Sequence, residues 1–175
     1  MTFALPPRPG PRPATTPSNP HTQLDQRPPA RVIAALAKAL FALPGVREKP
    51  SAISVPGARA LWLEAGDAHG PREAFLIGRE FAHIHPLPDG SLHVALPPSV
   101  VEDAIAQGWA EVHPVARMGL IPANVVMLYA PRDDAEAGMA VALVREALAF
   151  ARGETRASEN PGVEDLPRNG RRPPR

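Results

Sequence analysis

Proline is the feature that most constrains this chain, because it crowds the two ends and leaves one continuous stretch able to fold. Of the 24 prolines, nine lie within residues 1–30 and four within residues 153–175. Proline fixes its own φ and cannot donate a backbone hydrogen bond, so dense proline disfavours helices and sheets. Residues 31–152 hold seven of the eight aromatic residues. The sequence therefore predicts one domain over 31–152 between two disordered tails.

Composition and charge exclude several classes of protein. The chain has no cysteine, which rules out disulfide scaffolds and cysteine-ligated zinc or iron–sulfur sites. No apolar run approaches the ~18 residues of a membrane span. The formal net charge is +1, and its basic excess lies in the tails, so the domain is not expected to bind nucleic acid. The start of the chain lacks the pattern of a secretory signal, so we expect a cytoplasmic protein. With no membrane span and no basic excess in the domain, we expect it to bind neither membrane nor nucleic acid.

Hydrophobic patterning predicts three helices and six strands. The predicted helices are Arg31–Leu43, about 99–107 with Ser99 as N-cap, and a last helix from Asp133 or Asp134 to about Arg152. The predicted strands are Ser51–Val55, Ala60–Glu64, Arg72–Ile77, Glu80–His85, Ser91–Leu96 and Val125–Tyr129. Most strands are joined by short links, which favour antiparallel pairing. We therefore expect an α+β fold, a mostly antiparallel sheet of about six strands with three packed helices.

Three histidines on two neighbouring predicted strands are the strongest functional signal. Residues 88–90, Pro-Asp-Gly, fit a three-residue hairpin loop, which pairs His85 with His93. Alternate residues of a strand share a face, so His83, His85 and His93 would project from one side. A loop one residue shorter would move His93 to the other face, so the inference depends on register. The opposite, core-facing side would carry Ala82, Ile84, Leu92, Val94 and Leu96.

Other side chains are expected to share the histidine face. If residues 78 and 79 form a two-residue turn, Arg72 faces His85, and Phe81 lies on the same side. A face that mixes apolar and ionisable residues is typical of a small-molecule pocket. His113 would enter the sheet region. Arg132 follows the last strand and would either reach a ligand or pair with Glu136.

The histidine face is compatible with three kinds of chemistry. Histidine titrates near neutral pH, so the three imidazoles could act as bases on an organic substrate while Arg72 holds an anion. They could instead bind a transition metal, since two imidazoles on one strand and a third across a hairpin form a facial set. They could also be strand-surface residues without a ligand. The sequence has no nucleotide-binding loop and no serine-hydrolase motif.

The order and spacing of four segments resemble one known family. They are Ile77–Pro86, Asp89–His93, Gly108–Pro114 and Tyr129–Arg132. Together they are similar to the luciferase-domain family, which holds many uncharacterised bacterial proteins and resembles the luciferases of luminous fungi. The resemblance spans about residues 30–152.

This resemblance implies an activity. The characterised fungal members oxidise a hydroxylated pyrone, 3-hydroxyhispidin, with molecular oxygen and without an added cofactor. By resemblance, we expect an oxygen-dependent oxidoreductase for a small, electron-rich enol, with no metal. We expect no light emission, because nothing in the sequence specifies a pyrone. The expected catalytic residues are His83, His85 and His93, and the expected substrate-binding residues are Arg72, Phe81, His113 and Arg132. The alternative is a non-catalytic module that binds a small molecule in the same pocket or docks a partner through its proline-rich tails.

Overall fold

A computed structural model describes residues 5–154 as one antiparallel sheet with helices packed against it. The strands are β1 Val46–Pro50, β2 Arg59–Leu63, β3 Glu80–Ile84, β4 Leu92–Ala95, β5 Ala110–Val112 and β6 Val125–Leu128. The helices are α1 Ala30–Phe41, α2 Pro98–Ala106, α3 Pro114–Arg117 and α4 Asp134–Ala151. The spatial order of the strands is β1-β2-β3-β4-β6-β5, and every neighbouring pair is antiparallel. The predicted α+β fold is confirmed.

The core lies where α1 and α4 pack together, with α4 also against the middle of the sheet. Both helices bury apolar residues spaced three or four apart, which form one stripe along each helix. The sheet contributes the five residues predicted for its core-facing side, and all of them are buried. Asp133 caps α4 by accepting a hydrogen bond from the backbone N–H of Glu136 at 2.8 Å, as the sequence predicted.

Two predicted strands are wrong. Residues 52–55 form bends instead of a strand, because the Ser51 hydroxyl accepts hydrogen bonds from the amides of Ile53 and Ser54 and so replaces strand pairing with a local turn. The sheet uses β1 instead, immediately before this segment. Residues 72–77 begin with a 3₁₀ turn at 72–74, closed by backbone bonds such as that from the amide of Ala74 to the carbonyl of Pro71. Only a single bridge between Ile77 and Glu80 remains of the expected pairing.

Two short elements and one helix start also differ from the prediction. β5 and the one-turn helix α3 were not predicted, because three or four residues are too few to carry a hydrophobic period. α2 begins with Pro98 and has no side-chain cap, so Ser99 is not its N-cap. Proline suits the first helical position because its fixed φ is already helical. Gly108 follows α2 with a φ of +78°, the left-handed conformation expected where a helix ends.

Residues 5–29, predicted to belong to a disordered tail, lie against the domain instead. The indole Nε1 of Trp109 donates a hydrogen bond to the carbonyl of Pro6 at 2.6 Å, and the backbone amide of Ala130 donates to Oε1 of Gln23 at 2.9 Å. Such bonds attach a proline-rich segment without requiring it to form a helix or strand. The predicted C-terminal tail lies outside the described residues from position 155 onward. None of the helices between residues 5 and 154 is long and apolar enough to cross a membrane.

Candidate functional site

The hairpin of β3 and β4 places three histidines on one face of the sheet. His83 lies opposite His93, and the backbone amide of His85 donates to the carbonyl of Ser91 at 2.9 Å. The connecting loop is therefore residues 86–90, two residues longer than predicted. A register shift of two residues returns every side chain to its original face. His83, His85 and His93 therefore share a face as the sequence predicted, and their catalytic roles stay predictions.

A β-bulge in β3 changes which other residues accompany these histidines. Leu61 pairs with Ala82, but the next residue of β2, Trp62, pairs with Glu80, so Phe81 is an extra residue in β3. A bulge interrupts the alternation of side chains. Phe81 consequently turns into the hydrophobic core, where it is fully buried. Its predicted position on the histidine face is wrong, and the Glu80 side chain takes a place beside His83.

Five histidines form one buried cluster, which we call the histidine cluster: His21, His83, His85, His93 and His113. Each is at most 7% exposed. His93 is its centre, with ring centroids 4.5 Å from His113, 4.7 Å from His85, 5.1 Å from His83 and 5.3 Å from His21. His113, which was expected to enter the sheet region, lies in this cluster, and its substrate-binding role stays a prediction. The sequence analysis missed His21, because it lies in the proline-rich segment and carries no periodic signal.

Three carboxylates border the cluster and each accepts a hydrogen bond from an imidazole N–H. The His83 Nδ1–H donates to Glu80 at 2.8 Å, and the His85 Nδ1–H donates to Asp89 at 2.6 Å. The His21 Nε2–H donates to Glu111 at 2.7 Å. Such bonds fix both the orientation and the tautomer of each imidazole.

Further donors keep these carboxylates in place. The Ser51 hydroxyl and the Ala52 amide donate to Glu80 at 2.7 and 3.1 Å. Burial would raise the pKa of Asp89, but hydrogen bonds from His85 and Ser91 outweigh it and hold the pKa below its usual value. Burial and the neighbouring carboxylate of Glu111 raise the pKa of Tyr129 to about 12. The tyrosine hydroxyl therefore keeps its proton and donates to Glu111 at 3.2 Å.

The carboxylate contacts determine where the remaining lone pairs point. Since His21 donates from Nε2, its Nδ1 accepts from the Nε2–H of His93 at 3.3 Å, which leaves the Nδ1 of His93 unprotonated. The Nε2 of His83, also unprotonated, lies 3.1 Å from that atom. The Nε2 of His85 is buried and has no hydrogen-bond partner among the described residues. Burial lowers the pKa of His83, and burial with neighbouring imidazoles lowers that of His93 well below the usual value.

His113 has a ring N–H that is free to donate, whereas His83, His85 and His93 each have an unprotonated nitrogen. Its Nδ1 accepts the backbone N–H of Val115 at 3.1 Å and so caps α3. In the neutral ring, Nε2 must then carry the proton and act as a donor. Burial, together with the neighbouring histidines, lowers the pKa of His113 to about 4, so the ring is neutral at physiological pH.

A cavity of about 430 Å³ opens above the cluster, and all five of its histidines line it. Its volume is within the range of small-molecule sites. The surrounding walls are largely apolar. They include Pro20, Ile53, Val55, Leu76, Ile121 and Val125. The site therefore combines a polar floor of imidazoles with largely apolar walls.

Two predicted substrate-binding arginines lie away from this cavity. Arg72 is exposed, and its Nη1 donates to the carbonyl of Phe75 at 2.7 Å. It does not face His85, because the strand that would have carried it is a 3₁₀ turn. Arg132 pairs with Glu136 and also donates to the carbonyl of Pro9. Within residues 5–154, no arginine or lysine lines the cavity.

Comparisons with known proteins agree on one family. A family model described as "Luciferase domain" matches residues 78–147. Luciferases of Armillaria ostoyae and Armillaria mellea are each 26% identical to the chain over 162 residues, which cover 83% of this chain and 60% of theirs. A luciferase of Neonothopanus nambi is 34% identical over 74 residues, 41% of this chain and 28% of that protein.

The match includes most of the histidine cluster. His83, His85, His93 and His113 lie inside the matched segment, and His21 precedes it. The chain spans about 60% of the length of the Armillaria relatives. No solved structure matches the chain. The resemblance to the luciferase-domain family, predicted from the histidine motifs, is confirmed.

Proposed function

We propose that this chain is an oxygen-dependent oxidoreductase for a small, electron-rich organic substrate of the enol or hydroxypyrone type. The observation that carries the proposal is the unpartnered, buried Nε2 of His85 at the floor of an apolar cavity. A buried polar atom without a partner is costly unless a ligand satisfies it. The similarity to fungal luciferases supports oxidation as the class of reaction.

The proposed reaction begins with loss of the enol proton. An enolate gives up electrons to molecular oxygen more readily than the neutral enol does. A carbon–oxygen bond then forms to one oxygen atom, and the other oxygen atom takes up the released proton. The substrate and oxygen together give an organic hydroperoxide, so the carbon is oxidised by two electrons and oxygen is reduced to the peroxide level.

The cluster is suited to stabilise an enolate. A cation held by the lone pairs of His83, His85 and His93 would offset the negative charge of the enolate at the cavity floor. The Nε2–H of His113 is available to donate to the enolate oxygen. The apolar walls exclude water and strengthen both interactions. In this proposal the histidines that line the cavity, rather than Arg72 and Arg132, stabilise the anion.

Oxygen uptake by the full chain tests this proposal. The probes are 3-hydroxyhispidin and a series of simple 3-hydroxypyrones, each followed with an oxygen electrode. We expect one oxygen molecule consumed per molecule of substrate oxidised. His113→Asn keeps an N-cap acceptor for α3 but withdraws the ring donor, so kcat should fall about 10²–10³-fold. The matched control is His69→Asn, because His69 is exposed and lies outside the cluster.

The outcomes separate catalysis from binding alone. Equal oxygen uptake by wild type and His113→Asn would refute the donor role of His113. Saturable binding of a hydroxypyrone without oxygen uptake would refute the oxidation and support the alternative, a module that binds a small molecule in this pocket.

A further inference from the structure

We propose that His83, His85 and His93 together bind a divalent first-row transition-metal ion at the floor of the cavity. The inference deepens the proposed function, on which it rests for its catalytic meaning, because it names the cation that offsets the enolate. Binding of the ion itself requires no substrate and can be measured alone.

The spacing of the three rings fits a common ligand. Each of these histidines offers a ring nitrogen within 4.8 Å of those of the other two, and all three are buried. Two nitrogens bound at about 2.0–2.1 Å to one ion, at angles of 90–110°, lie roughly 3 Å apart. The Nε2 of His83 and the Nδ1 of His93 are 3.1 Å apart. These two atoms are already placed as neighbouring ligands of one ion.

The surroundings of the rings are also those of metal ligands. A metal-binding histidine usually donates its other N–H to a carboxylate or carbonyl, which fixes its orientation. His83 donates to Glu80, and His85 donates to Asp89. His93 donates to His21, whose far N–H donates in turn to Glu111. In each of the three rings, the nitrogen that carries the proton is therefore connected to a carboxylate, directly or through one more imidazole.

A count of protons shows that one contact in the cluster lacks a proton and that a metal ion can take its place. Four contacts join Glu80, His83, His93, His21 and Glu111 in a line. Three neutral imidazoles carry three N–H protons, so one contact has no proton, and the tautomers assign it to the pair His83–His93. A single added proton would satisfy that pair but leave the Nε2 of His85 unpartnered. A metal ion would satisfy all three inward nitrogens.

A second triad in the cluster does not fit a metal equally well. His21, His93 and His113 also offer nitrogens within 4.8 Å of one another. However, the Nδ1 of His113 already accepts the amide of Val115, so its Nε2 carries a proton. Both nitrogens of His21 are engaged, with His93 and with Glu111. The free lone pairs therefore select the first triad.

The ligand set indicates the chemistry of the ion. Three neutral imidazoles suit zinc, copper, iron or nickel, whereas magnesium and calcium require oxygen ligands. Because no carboxylate is among the three ligands, the ion would keep its full charge for the substrate. All three histidines line the cavity, so an ion that they hold could take a further ligand, such as an enolate oxygen, from the cavity.

Titration of the tag-free, chelator-treated full chain with Co²⁺, without substrate, tests the site. Tetrahedral or five-coordinate Co²⁺ has visible absorption bands that report nitrogen ligands directly. We expect saturation at one equivalent per chain in the wild type and in the exposed-histidine control His69→Ala. His85→Ala should lose the bands. Asp89→Asn, which alters only the residue that positions His85, should weaken binding by about 10–100-fold.

Two controls and two refuting results complete the Co²⁺ experiment. His113→Asn, although expected to lower turnover, should still bind Co²⁺ if the first triad is the site. Thermal melts of each metal-free variant establish that it is folded. Absence of saturable binding, or one equivalent that survives in both His85→Ala and Asp89→Asn, would overturn the inference.

Failure of the metal site and failure of the proposed oxidation can be told apart. Oxygen uptake by metal-free protein at the rate of the loaded protein would overturn the metal's role and leave the oxidation standing. Stoichiometric Co²⁺ binding by a protein that oxidises no hydroxypyrone would support the metal site and refute the proposed oxidation.

Discussion

Glu136 anchors the N-terminal segment to the domain, and its substitution should destabilise the fold. The Glu136 carboxylate lies 3.3 Å from the Nη2 of Arg8, and the two side chains are only 5% and 2% exposed. It also accepts the backbone N–H of Arg132 at 2.9 Å. Glu136→Gln keeps the shape of the side chain but removes its charge. The substitution therefore leaves the buried guanidinium of Arg8 without a counter-charge.

The structure sets the expected magnitude. Removal of one partner of a buried ion pair typically costs about 3–5 kcal/mol, because the other charge remains buried and unpaired. Arg8 retains a hydrogen bond to Gln26 at 3.3 Å and lies 5.5 Å from the ring centre of Tyr129, so we expect the lower end, about 3 kcal/mol. For a domain of this size, that corresponds to a fall in Tm of roughly 6–12 °C.

The pair Arg31–Asp134 supplies a matched control on the same helix. These side chains are 69% and 72% exposed, so Asp134→Asn should cost no more than about 1 kcal/mol. Both variants are compared by urea denaturation at pH 7. Equal stability of Glu136→Gln and Asp134→Asn would refute the view that a buried ion pair holds the segment in place.

Acid should reduce the effect of Glu136→Gln. Burial would raise the pKa of Glu136, but hydrogen bonds from Arg132 and the charge of Arg8 hold it below its usual value. A carboxylate with a depressed pKa contributes its full stability above its unfolded pKa, near 4.3, and loses it as pH falls through the lower folded value. The stability difference between wild type and Glu136→Gln should therefore shrink below about pH 4, and urea melts at a series of pH values measure it.

Substitutions at three other positions give further tests by urea denaturation. Gly138 lies within α4 with open space around it, so Gly138→Ala should stabilise the fold by about 0.5–1 kcal/mol, and a loss of stability would contradict this. At Gly70 an added Cβ would lie 2.2 Å from a backbone carbonyl oxygen of α4, so Gly70→Ala should destabilise the fold, and unchanged stability would contradict the packing described. The side-chain amide of Asn124 donates to the carbonyls of Glu73 and Leu96, so Asn124→Ala should cost about 1–3 kcal/mol with an unchanged urea m-value.

The part of the site that lies on the hairpin could be predicted because its signals are local. The alternation of His83, His85 and His93 with apolar residues assigns them to one face for any loop whose length differs from the predicted one by an even number of residues. The predicted loop was two residues too short, yet the face was unchanged. The carboxylate beside His85 comes from the loop itself, through Asp89, and strand patterning gives no sign of this contact.

The rest of the site depends on contacts that no local pattern encodes. His21 meets His93 across 72 residues of sequence, from a segment whose prolines indicate disorder. The bulge that turns Phe81 into the core and Glu80 toward His83 arises from pairing between β2 and β3, not from the residues of β3 alone. Arg72 was misplaced for a different reason, since a local turn competed successfully with strand pairing.

Oxygen uptake by wild type and His85→Ala in the presence of 3-hydroxyhispidin tests the central claim most directly. His85 carries the unpartnered nitrogen at the cavity floor. The account predicts that the wild-type chain consumes one oxygen molecule per molecule of substrate and that His85→Ala is slower by about 10²-fold or more. Equal uptake by the two proteins, or none by a folded wild-type chain with any hydroxypyrone, would contradict it.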